Sequence, residues 1–131
     1  MNVLNAIKNC LDEEFLHLKD KFELNEMEKS VNKTDDKYKI ATKPGVYIIS
    51  CENEILKVGR NFENAAKRAF EHFRDNTGDE NTGKIKTITE NKPTMIYIYN
   101  SKNRENDFWL ASLEIYLENK LKPRIKSKRN G

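Results

Sequence analysis

Three features of this sequence predict a small α+β domain, a three-stranded antiparallel sheet flanked by helices. Val46-Tyr47-Ile48 and Leu56-Lys57-Val58 bracket the polar segment Ser50-Cys51-Glu52-Asn53-Glu54, which is the patterning of a β-hairpin. Thr94-Met95-Ile96-Tyr97-Ile98-Tyr99-Asn100, dense in β-branched and aromatic residues, supplies a third strand. Apolar residues at three- and four-residue spacing before, between and after these strands mark amphipathic helices that must cover the sheet.

Taken in order, residues 3–28 predict one helix. Leu4, Ile7, Leu11, Phe15, Leu18 and Phe22 draw an apolar stripe, charges fill the other faces, and no glycine or proline interrupts. The stripe needs a cover, either the following domain or another molecule, so residues 3–22 offer a surface for a homodimer or a partner protein. His17 reads as an exposed residue of that helix. Ser30 to Lys43 is a polar connector ending at Pro44, which divides the chain into residues 1–43, helix and connector, and a domain from 44 to 131.

Asn61 is placed to cap a helix over 63–73, with Ala65, Ala66, Ala69, Phe70 and Phe73 inward. Arg68 and His72, four residues apart, share a face of it. Asp75 to Asn91 is a polar excursion whose residues 84–90 suit a short helix or a strand equally. Asp107 is an N-cap candidate for a last helix over 108–122, with Trp109, Leu110, Leu113, Leu117 and Leu121 inward, Glu114 beside that stripe and Pro123 as terminator.

A chain of 131 residues has room for one domain with a single core. With 37% hydrophobic and 34% charged residues and no long apolar run, it has the composition of a globular protein and no membrane span. No basic stretch leads into an apolar core at the N-terminus, so no secretory signal is visible. Cys10 and Cys51 read as reduced thiols, which places the protein inside a cell, a microbe's or a virus-infected host's. Their spacing to His17 and His72 does not suit zinc. Charge is uneven: residues 1–36 hold nine carboxylates against five lysines, whereas 122–131 hold Lys122, Arg124, Lys126, Lys128 and Arg129 and no acid. Such a tail is attracted to polyanions, with a solvated terminus as the plain alternative.

Several of these segments align in a recognisable order. Gly45-Val46-Tyr47, nine intervening residues and Lys57-Val58-Gly59 resemble the two-part signature of GIY-YIG nucleases. The stretch 61–73 resembles the helix that follows, the family's arginine matching Arg68 and the histidine of homing-type members matching His72. Glu114 followed by Pro123-Arg124 resembles the third signature, a helix with a metal-binding glutamate. The resemblance covers residues 44–126, about two-thirds of the chain. Lys57 stands where the second signature tyrosine usually is, as in some phage and viral members, and Lys126 where an asparagine is usual.

The resemblance implies a metal-dependent DNA endonuclease with Tyr47, Lys57, Arg68, His72 and Glu114 as catalytic residues, Glu114 holding Mg²⁺ or Mn²⁺, and Gly45, Gly59 and Pro123 as structural positions. The residue chemistry is compatible. A carboxylate with waters and a substrate phosphate makes an ordinary magnesium site. A phenol whose pKa is lowered by a cation, Lys57 being the candidate across the hairpin, could orient or deprotonate water. Arg68 offers a forked donor to a phosphate, and His72 a proton relay or a phosphate ligand. Arg60, Lys67, Arg124, Lys126, Lys128 and Arg129, with Lys84, Lys86 and Lys92, are candidates to grip a nucleic-acid backbone. Nothing resembles a sequence-reading motif, so cutting is expected to be structure-selective or weakly specific.

Two other functions compete: a degraded nuclease fold that binds nucleic acid without cutting it, and a protein-interaction factor acting through its N-terminal helix. Tyr47, Arg68 and Glu114 meeting in one cleft would favour catalysis. Glu114 buried against a cation would favour binding, and a covered N-terminal stripe would count against the interaction factor.

Overall fold

A computed structural model describes residues 2–14 and 16–127, for residues 13–18 without their side chains. The expected α+β class is found, with a four-stranded sheet in place of three strands. The order is β1 (Phe22–Glu28), β6 (Thr94–Ser101), β2 (Gly45–Cys51) and β3 (Glu54–Asn61), every neighbouring pair antiparallel. Helices α1 (Val3–Glu14) and α5 (Leu110–Leu121) pack on one face. Helices α2 (Asp36–Lys39), α3 (Ala65–Arg74) and α4 (Ile85–Thr89) cover the other.

The extra strand corrects the reading of residues 3–28 as one helix. The helix ends at Glu14, a 3-10 turn spans Leu16–Lys21, and Phe22–Glu28 pairs with β6 from Phe22↔Ser101 to Glu28↔Met95. Tertiary context decides here. A strand laid on the open edge of β6 satisfies its backbone there, and Phe22, Asn25 and Met27 are buried between exposed glutamates. The sheet therefore crosses the boundary expected at residue 43. Val3, Ile7, Cys10 and Leu11 of α1 are buried in the chain's own core, so that of the two covers expected for this stripe the following domain supplies this part. Phe15 and the side chains of His17 and Leu18 lie outside the described residues.

The central strand β2 is buried along its whole length. Val46 and Ile48 join Tyr97, Tyr99 and the α1–α5 core, whereas Tyr47 and Ile49 join Ile96, Ile98 and the α3 core. The β2–β3 turn is tighter than the five polar residues suggested: Glu52 (φ 48°) and Asn53 (φ 67°) make it alone, both left-handed, the geometry that suits a two-residue hairpin. A register shift at Ile49/Ser50 inserts Leu56 as an extra residue on β3. Downstream of that bulge Lys57 and Gly59 pair with Ile49 and Tyr47, on the α3 face, and Arg60 pairs with Val46, on the α5 face.

Other boundaries moved for local reasons. Asn61 does not cap α3; its side chain accepts from the Glu63 and Asn64 N–H groups, and Asn64 caps the helix by accepting from Lys67 N. Asp107 sits inside a 3-10 turn (Arg104–Trp109) that precedes α5, its carboxylate accepting from the Ser101 hydroxyl. The polar excursion holds a two-strand ribbon, β4 (Gly78–Asp79) with β5 (Gly83–Lys84), and residues 85–89 are helical. Cys10 and Cys51 are buried in the two different cores, in no disulfide with each other. Among the described residues no helix is long and apolar enough to cross a membrane.

The chain after α5 forms a border to the sheet. Lys122 adopts the left-handed conformation (φ 50°) that closes the helix before Pro123. Arg124 N and Ile125 N then donate to Ile55 O and Leu56 O, covering part of the open edge of β3. Ile125 is buried. As far as residue 127 the chain is therefore not the solvated terminus offered as the plain alternative; Lys128 and Arg129 lie outside the described residues.

Candidate functional site

A cleft of about 720 Å³ opens along the outer edge of β3, walled by residues of α3 and α5. Tyr47 of β2, Lys57 and Arg60 of β3, Arg68 and His72 of α3, Glu114 of α5 and Lys126 all line it. The geometric expectation was that a phenol, a guanidinium and a carboxylate from three separate elements share one space, and they do. Lys67, Lys84, Lys86 and Lys92 are exposed elsewhere and do not line the cleft. Nor does Arg124, whose Nε donates to Thr82 O at 2.6 Å and whose Nη1 donates to the Glu54 carboxylate at 3.3 Å. Its role here is to tie the C-terminal segment to the excursion and the hairpin.

The glycines explain the placement. Tyr47 lies across the hairpin from Gly59, and a Cβ on Gly59 would overlap the Tyr47 hydroxyl and Cζ and stand 2.8 Å from Cε2. Gly59 is therefore a flat spot inside a strand. Gly45 serves close approach too: a Cβ there would stand 2.7 Å from the Tyr99 carbonyl oxygen. The same corner is fixed by Asn100, whose Nδ2 donates to Ala41 O and Lys43 O, each at 3.1 Å, while Asn25 donates to its Oδ1 at 2.9 Å. Sequence reasoning passed over both asparagines because each sits in a strand without a motif around it.

The electrostatics correct two expectations. Burial dominates at Tyr47 and pushes its pKa up to about 12; the Arg68 guanidinium pulls the other way, and Glu114 adds to the rise. Arg68 is thus the cation facing the phenol, in place of Lys57. At a pKa of about 12, only about one phenol in 10⁵ is ionised at pH 7, so Tyr47 is a neutral phenol in the resting cleft and not a base.

His72 is the second correction. Its position on α3 faces the sheet, it is 1% exposed, and its pKa is lowered to about 3, first by burial and then by Arg68 and Lys57. It is neutral at pH 7 and shielded from a phosphate. Nε2 lies 2.7 Å from the Tyr47 hydroxyl, and Nδ1 is buried with no hydrogen-bond partner. The tautomer with its proton on Nε2 leaves only a lone pair unmatched at Nδ1, the smaller cost. In that form His72 donates to the phenol oxygen, and Tyr47 keeps its own hydrogen for a ligand.

A stability test follows from the buried imidazole. Its folded pKa of about 3 lies below the ordinary 6.5, so below pH 6.5 the unfolded chain takes up a proton that the folded chain refuses. The penalty is absent above pH 6.5, grows as pH falls, and is complete below about 3. Between pH 7 and pH 5 this group is expected to cost about 2 kcal/mol. Urea midpoints of wild type and His72→Gln at the two pH values check it: the variant should lose less stability on acidification, and equal losses would mean that the imidazole is not buried.

Glu114 is 3% exposed and ion-paired with Arg60. Arg60 is half-buried, with its guanidinium 5.4 Å from the Phe62 ring centroid. Asp79 also lines the cleft. Among the described residues no three His, Cys, Asp or Glu side chains form a cage. The donor chemistry fits Mg²⁺ or Mn²⁺, for which one or two carboxylates suffice when water and a phosphate supply the rest. Arg60 would have to give way at Glu114. Its pairing was not foreseen, because Arg60 read only as a backbone-gripping cation.

No protein-family model, curated protein or solved structure was found to match this chain.

Proposed function

We propose that the chain is a metal-dependent endonuclease that hydrolyses phosphodiester bonds in DNA, structure-selectively or with weak sequence preference. The observation that carries this reading is the meeting of Tyr47, Lys57, Arg68, His72 and Glu114 in one cleft, from β2, β3, α3 and α5. Arg68 would hold the phosphate through paired N–H groups, and Lys57 would add charge to relieve the pentacoordinate phosphorus. Tyr47, fixed by His72, would orient the attacking water. Glu114 would hold the metal ion, which supplies a water nucleophile and charge neutralisation. The decisive experiment incubates supercoiled plasmid with wild type and Mg²⁺ or Mn²⁺. Nicked or linear product is expected, and unchanged plasmid across metals and salts would overturn the reading.

Arg68→Lys is expected to lower cleavage by roughly a hundredfold, because an ammonium does not reproduce the fork. Initial rates of plasmid nicking check it, and wild-type rates would mean that Arg68 is not the phosphate clamp.

One observation favours a second reading. Glu114 is buried against Arg60, the arrangement expected of a module that binds nucleic acid without cutting it. Retarded DNA on a native gel with no cleavage under any metal would select it. The covered face of α1 counts against an interaction factor built on that helix.

A further inference from the structure

Among the described residues, the large hydrophobic side chains that stay exposed are Phe62 (49%) and Ile115 (43%), which line the cleft, and Ile40 and Phe108, which do not. Scattered exposed apolar residues are ordinary on protein surfaces. Phe62 differs in how it is held. It is the first residue after β3, and a planar guanidinium, that of Arg60, lies 5.4 Å from its ring centroid. Arg60 is in turn anchored by Glu114. The cleft thus presents an aromatic ring, held by an anchored cation, beside Lys57, Arg68 and Lys126. Cations that attract phosphates next to an open ring that attracts a flat π-face are the two components of a single-strand binding site.

We propose that Phe62 is a stacking platform for an unpaired nucleobase adjoining the phosphate in the cleft, with Ile115 as a further apolar contact. The preferred ligand is then DNA with a single-stranded overhang, gap or flap. In a continuous duplex both faces of each base are covered by its neighbours, and only the phosphates remain to be bound. The inference rests on the reading of the cleft as a phosphodiester site, and it adds which DNA that site selects.

The test separates the two. Wild type in EDTA, where metal-dependent cutting is stopped, is titrated with oligonucleotides carrying 2-aminopurine in a single-stranded overhang or within a continuous duplex. The overhang is expected to bind roughly 5- to 150-fold more tightly, the range for one base stacked on one aromatic ring, with quenched fluorescence. Phe62→Ala should remove both the preference and the quenching and leave duplex affinity within about twofold, while Phe62→Tyr retains them. Because Phe62 is half exposed, thermal unfolding of the variants should match wild type. Equal affinities for the two DNAs, or a preference that Phe62→Ala leaves in place, overturn the inference even if plasmid is nicked. A preference lost with Phe62 but no nicking upholds the platform and sinks the hydrolase. Failure to bind either DNA overturns the platform, and plasmid nicking alone then decides the hydrolase.

Discussion

Glu114→Gln is expected to lower metal-dependent cleavage by roughly a thousandfold or more and to leave a folded, DNA-binding protein. The substitution keeps the shape of a side chain buried in α5 and removes only its charge. An amide oxygen is a poor ligand for a hard divalent ion beside a carboxylate, so the metal should be lost. Arg60 loses its counter-ion but is partly exposed, and the amide oxygen still accepts from it, so the fold should lose no more than about 1–2 kcal/mol. DNA affinity should hold or rise, since a negative charge leaves a cleft that faces phosphates. Plasmid nicking, a gel shift and a urea melt on the same preparation distinguish the outcomes. Wild-type cleavage by the variant would make Glu114 no more than the structural partner of Arg60.

The contrast between what the chain announces and what it hides follows the range of the interactions. The hairpin, the 94–101 strand and α3 were legible because their patterns are local: alternation, turn residues and apolar spacing act within a few positions. It was the resemblance to the nuclease signatures, and not these patterns, that pointed to Tyr47, Lys57, Arg68, His72 and Glu114, which do share a cleft. Residues 22–28 misled because Leu18 and Phe22 continue the helical spacing of Leu11 and Phe15, and glutamate suits an exposed helix face as well as an edge strand. What made them a strand was the open edge of β6, far along the chain. The Arg60–Glu114 pair and the Asn25–Asn100 contact join residues 54 and 75 positions apart, and no local pattern marks either. His72 shows the limit from the other side. Its spacing from Arg68 was read correctly, but whether that face met solvent or sheet depended on the packing of α3.

Gly59→Ala is expected to cost about 1–3 kcal/mol of stability and to reduce cleavage about as far as Tyr47→Phe does, through a single methyl group. The added Cβ would overlap the Tyr47 hydroxyl and Cζ, and that ring has little room to yield: Tyr47 is 3% exposed and hydrogen-bonded to His72 at 2.7 Å. Either the phenol leaves His72 and the cleft, or β2 and β3 part near their ends. A double-mutant cycle separates this clash from a general intolerance of β3 to alanine. Tyr47→Leu removes the phenol and the ring carbons that the methyl group would strike. On that background Gly59→Ala should lose almost all of its stability cost, a coupling of about the same 1–3 kcal/mol. If Gly59→Ala costs as much without the ring as with it, the strand itself demands glycine. The cross-strand seat of Tyr47, and with it the geometry on which the catalytic reading depends, would then be wrong.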